Sequence, residues 1–131
     1  MNGKQQAIYK DQLVEFMREL AKDGYKSYLH NDSTDGYLYG YLITPSDTVM
    51  YVQRGDYGYG WTFSIQYKPS KNNGSGCGCL ANHIDDLSLA VIQQAEREGL
   101  AFANRLNATH YKNSAEWLKG YWDKDHLQEI A

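Results

Sequence analysis

Two cysteines and two prolines are all that 131 residues contain of either type, and the cysteines stand one residue apart at Cys77 and Cys79. That spacing cannot form the disulfide framework of a small secreted domain, so a reducing compartment and a cytoplasmic location are expected. No apolar run approaches the roughly 20 residues a membrane helix needs. The opening stretch, MNGKQQAIYKDQLVEF, carries no secretory signal. An excess of charge is also missing: the formal net charge is −3, with both signs scattered along the chain. This disfavours a protein built to grip a phosphate backbone, which needs clustered Lys and Arg. It is too weak an acidity for a DNA mimic. The phosphate-loop pattern G-x-x-x-x-G-K-[ST] is absent, and no nucleophile signature surrounds either cysteine. No catalytic residue and no cofactor are therefore assigned.

What remains is an ordinary globular composition with one exception. Hydrophobic residues make up 42% and charged residues 22%, which matches a folded domain. The length is that of one domain, so residues 1–131 are read as a single α+β unit. The exception is tyrosine, with 12 residues. Tyrosine forms strands, lines interfaces and offers a stacking surface.

The first segment reads as a helix. Tyr9, Leu13, Phe16, Met17, Leu20 and Ala21 recur at the spacing of one helical face, and Gly24 follows as a stop. From Tyr25 the period changes to two. Strands are expected over 25–30, 37–44, 48–54 and 61–68, with turn residues in the breaks. Such short breaks join antiparallel neighbours, so the simplest topology is a four-stranded meander. Residues 69–82 read as a glycine-rich loop. A second helix carries Leu87, Ala90, Val91, Gln94, Ala95, Leu100, Ala101 and Leu106, capped by Asp85 or Asp86 and weakened at Gly99. A short third helix starts at Ser114, with Trp117, Leu118, Tyr121 and Trp122 as its apolar stripe. The expected order is α-ββββ-α-α, with one sheet face laid on the helices.

Tyr37, Tyr39 and Tyr41 lie at period two and share one face of the second strand, with Leu38, Gly40 and Leu42 on the other. With the leucines inward, the tyrosines stand on an open face beside Thr62, Ser64 and Gln66. The register depends on the next turn. A two-residue turn at Ser46-Asp47 pairs Leu42 with Tyr51, and a three-residue turn at Pro45-Ser46-Asp47 pairs Tyr41 with Tyr51. The loop after the third strand, Arg54-Gly55-Asp56-Tyr57-Gly58-Tyr59-Gly60, has the Gly-Tyr composition of recognition loops. The candidate partner-binding residues are thus Tyr37, Tyr39, Tyr41, Tyr51, Arg54, Tyr57 and Tyr59. Against this stands the plain alternative that cross-strand tyrosines only stabilise the sheet.

Cys77, Cys79 and His83 form a C-x-C-x3-H cluster. Zinc wants four ligands, and its paired cysteines usually stand two to four residues apart, so no metal site is assigned to these three.

Three stretches resemble small uncharacterised accessory proteins of bacterial conjugative elements and phages: YLITPSDTVMYVQRG at 41–55, YKPSKNNGSGCGC at 67–79 and AEWLKGYWDKDHLQEI at 115–130. The resemblance implies a setting and carries no residue roles. Compact proteins of that setting often act by binding a host protein, including inhibitors of CRISPR or restriction defence. The leading expectation is therefore a protein-binding module. A second is single-stranded nucleic-acid or nucleotide binding on the aromatic sheet. There Lys26, Arg54, Lys68 and Lys71 are matched in number by Asp32, Asp35, Asp47 and Asp56. A third is a thiol- or metal-dependent enzyme at the Gly-Cys loop.

Overall fold

The computed structural model describes residues 3–30, 38–54, 60–66, 77–84 (as backbone), 86–106, 111, 114–121 and 124–130. Helix α1 spans Gly3–Ala21. Four strands follow: β1 (Lys26–His30), β2 (Leu38–Ile43), β3 (Val49–Arg54) and β4 (Trp61–Gln66). They form the expected antiparallel meander. The rest departs from four strands. Residues Cys77–Ile84 form β5, beside β4, and Leu127–Ile130 form β6, beside β1. Among the described residues the sheet therefore has six strands, in the order β5-β4-β3-β2-β1-β6. Helices α2 (Leu89–Arg105) and α3 (Ser114–Gly120) complete the fold. Among the described residues no helix is long and apolar enough to cross a membrane.

The amphipathic period of α1 buries Leu13, Met17 and Leu20 against the sheet. The helix ends in a Schellman motif. The Tyr25 N–H donates to the Leu20 carbonyl at 3.2 Å and the Gly24 N–H to the Ala21 carbonyl at 3.2 Å. Gly24 takes the left-handed conformation this requires, with φ 87°. Helix α2 lies beside α1 on the same sheet face, over β4 and β5. Its buried stripe is Ile92, Ala95, Gly99 and Ala103; the last three are small and let it lie close to the sheet, and of these only Gly99 weakens it as an isolated helix. The expected aspartate cap is replaced by Ser88, whose hydroxyl accepts from the Val91 N–H at 3.3 Å. Asp86 is exposed ahead of that cap, and Asp85 lies outside the described residues.

Strand alternation supplies the other half of this core: Leu29, Leu38, Leu42, Met50, Val52, Trp61, Phe63 and Ile65. Gly40 sits in the same layer, where a Cβ would fall against the Tyr28 carbonyl and 3.0 Å from the Met17 methyl. At this point only glycine lets α1 and β1 approach so closely.

The expected two-layer arrangement is incomplete. A second apolar cluster lies on the far side of the sheet, where Tyr41, Ile43 and Val49 meet Trp117 of α3. Among the described residues, two α-helices thus lie on one face and a short third on the other.

Candidate functional site

The outer face is fixed by one turn. The Asp47 N–H donates to the Thr44 carbonyl at 2.8 Å, and the Thr44 N–H to the Thr48 carbonyl at 3.0 Å. Asp47 is left-handed at φ 64°, which Asp tolerates better than most residues. The Thr44 hydroxyl accepts a further bond from the Thr48 N–H at 3.1 Å. This is the three-residue turn, and it pairs Tyr41 with Tyr51. The leucines point to α1, as expected. One row then crosses five strands on the outer face: Glu129, Tyr28, Tyr41, Tyr51 and Ser64.

The tyrosine face is not open along its whole length, and this corrects the expected open row. Trp117 lies 4.7 Å from the Tyr41 ring and 6.1 Å from Tyr28, centroid to centroid. Tyr121 meets the edge of Tyr41 at 5.2 Å, and the Tyr41 hydroxyl donates to the Tyr121 hydroxyl at 3.1 Å. Tyr41 is left 6% exposed. Burial first, then the hydrogen bond to Tyr121, pushes the Tyr41 phenol far above the ordinary tyrosine range. Burial, with Glu129 as the second cause, also raises Tyr28.

Beyond α3 the face is partly uncovered. Tyr39 stacks on His30 at 4.4 Å and meets Tyr51 at 5.6 Å; Tyr51 in turn lies 5.3 Å from Tyr41. His30 is buried and stacks at 5.8 Å on His126, which is exposed. Tyr39, Tyr51, Gln53 and Thr62 are all half-buried. This is an uncharged surface of rings, amide and hydroxyl, mounted on adjacent strands rather than on loops. The backbone of Tyr111 secures one edge of it: its N–H donates to the Gln66 carbonyl at 3.1 Å and its carbonyl accepts from the Val49 N–H at 3.3 Å.

The other sequence candidates separate. Tyr37, Tyr57 and Tyr59 lie outside the described residues. Arg54 is on the opposite side of the sheet from Tyr39 and Tyr51, with its guanidinium 3.7 Å over the Tyr9 ring and 5.4 Å from Trp61. Strand alternation requires this, since Arg54 shares a face with Val52. Cys77 and Cys79 stand opposite Gln66 and Ser64 in β5, within a stretch read as loop. His83 lies past a register irregularity, so the C-x-C-x3-H spacing does not map onto one regular strand face.

Sequence reasoning missed a second concavity. A cleft of about 690 Å³ opens between α1 and the segment entering α2, lined by Tyr9, Gln12, Glu15, Phe16, Glu19, Arg54, Trp61, Asp86 and Leu87. Tyr9 meets Trp61 edge to face at 6.2 Å. The half-helix spacing of Tyr9, Gln12, Phe16 and Glu19 was legible as one edge of α1, but its neighbour across the cleft was not. No known family, curated protein or solved structure matches this chain.

Proposed function

We propose that this chain is a cytoplasmic protein-binding module, an accessory protein of a bacterial mobile element that occupies a host protein. Inhibition of host defence, of the anti-CRISPR or anti-restriction type, is the proposed consequence. The observation that carries the reading is the half-buried pair Tyr39 and Tyr51, flanked by Gln53 and Thr62. Rigid aromatic area beside neutral hydrogen-bonding groups is the chemistry of interface cores and of paratopes. Ordering these rings costs little on binding, because the neighbouring rings and strands already hold them.

Single-stranded nucleic-acid binding is the weaker proposal. The same rings could stack on bases, but Arg54, one of the cations such a surface would use, faces the other way. The test begins with affinity capture from a bacterial host lysate. The captured protein is then identified, purified and recombined with the chain. A stoichiometric complex that is lost in Tyr39→Ala/Tyr51→Ala is the expected result. A complex that survives that double substitution unchanged would contradict the assignment of the site.

A further inference from the structure

The cleft on the opposite face has a chemistry of its own. Its apolar lining is Phe16, Leu87 and Trp61, of which Trp61 is 1% exposed. Its wall at Tyr9 already holds a planar cation, the guanidinium of Arg54 at 3.7 Å. Against that one cation stand three carboxylates in the described lining, Glu15, Glu19 and Asp86, so the lining sums to −2 (one positive, three negative). Glu19 is engaged by Lys22 at 3.2 Å. Glu15 and Asp86 are both exposed.

An anion entering this cleft would meet a surplus of like charge. A cation would meet the exposed carboxylates of Glu15 and Asp86 together with the half-buried Phe16, while Arg54 already covers the Tyr9 ring and Trp61 is 1% exposed. The apolar lining suits the methylene stem of Arg or Lys, with the charged head turned to the rim. The volume lies in the range of sites for small ligands and side chains, and is too small to seat a folded domain.

We propose that the cleft binds a basic segment of a partner polypeptide, an arginine or lysine next to an apolar residue. The apolar side chain rests on Phe16 and Leu87, and the cationic head is held by Glu15 and Asp86. The inference rests on the protein-binding reading for the source of the cation, but it uses the opposite face of the sheet. Failure of one is therefore distinguishable from failure of the other.

The test is a titration of the full chain, followed by NMR of the Trp61 indole and the Gln12 side-chain amide. Three probes are used: a five-residue amidated peptide with two arginines around a leucine, the same peptide with glutamates, and arginine amide alone. The arginine peptide is expected to give saturable shifts at both reporters. Glu15→Gln/Asp86→Asn, two changes at exposed positions, is expected to weaken it about ten-fold. Arg54→Ala is expected to leave binding intact or strengthen it, because it removes the one like charge. Tyr39→Ala/Tyr51→Ala is expected to leave these shifts unchanged. Equal binding of the glutamate peptide, loss of binding in Arg54→Ala, or the absence of saturable shifts would each overturn the proposal. Arginine amide saturating at the same concentration as the peptide would overturn the assignment to a polypeptide.

Discussion

The two faces of the sheet are built from the same strands by different rules. The inner face is largely aliphatic: Leu29, Leu38, Leu42, Val52 and Ile65, with the rings of Phe63 and Trp61, lie under two helices that together run 36 residues, 19 in α1 and 17 in α2. The outer face is aromatic and is closed over part of its area by a helix of seven residues. A helix that short is not stable alone, so α3 is held by what Trp117 and Tyr121 touch. The buried part of the inner face is thus committed to stability. The outer face offers rings that are fixed in place yet still half accessible, which is what a binding surface requires.

The largest effect should come from the inner face. Phe63→Ala removes a fully buried ring and is expected to cost about 3–5 kcal/mol, read from the denaturant midpoint. Gly40→Ala comes next, at about 1–3 kcal/mol, because the added methyl has the Tyr28 carbonyl in its way. Gly120→Ala is its control, since nothing lies within 4 Å of a Cβ there; a change within about 0.5 kcal/mol is expected. Equal costs at the two glycines would break the contrast between a packed and an open face.

Tyr41→Phe sharpens the comparison on the outer side. It removes the hydroxyl bonded to Tyr121 and is expected to cost about 1 kcal/mol at neutral pH. The folded protein holds the Tyr41 phenol protonated above its ordinary value of 10.0, so the unfolded chain loses that proton first as pH rises. Stability from this group is complete below pH 10.0 and declines above it. The alkaline slope of the unfolding free energy should therefore flatten in Tyr41→Phe. Tyr28 and Tyr25, both raised chiefly by burial, leave a residual slope. Tyr39→Ala is expected to cost an amount similar to Tyr41→Phe, about 0.5–1.5 kcal/mol from lost ring contacts.

How much of this was legible in the sequence differs by element. The alternation of Trp61, Phe63 and Ile65 with Thr62, Ser64 and Gln66 read directly as a half-buried strand. The turn at Pro45-Ser46-Asp47 left two registers open, because the left-handed Asp47 that selects one is a backbone property. β5 was hidden by Gly78 and the two cysteines beside it: local propensity pointed to a loop, and pairing with β4 overrode it. β6 has four residues, too few to show a period. The apolar stripe of α3 was visible, but a stripe does not say which face it covers. The side Arg54 takes was legible too, since its parity with Val52 already placed it away from Tyr51.

The central claim is that binding belongs to the uncovered half of the aromatic face. The most direct measurement is the affinity for the purified host partner of three chains: unsubstituted, Tyr39→Ala/Tyr51→Ala, and Ile8→Ala, an exposed position of α1 outside the cleft lining. The outer-face pair is expected to lose ten-fold or more in affinity (about 1.4 kcal/mol or more), while the chain stays folded and Ile8→Ala binds as tightly as the unsubstituted chain. An outer-face pair that binds as tightly as the unsubstituted chain would contradict it.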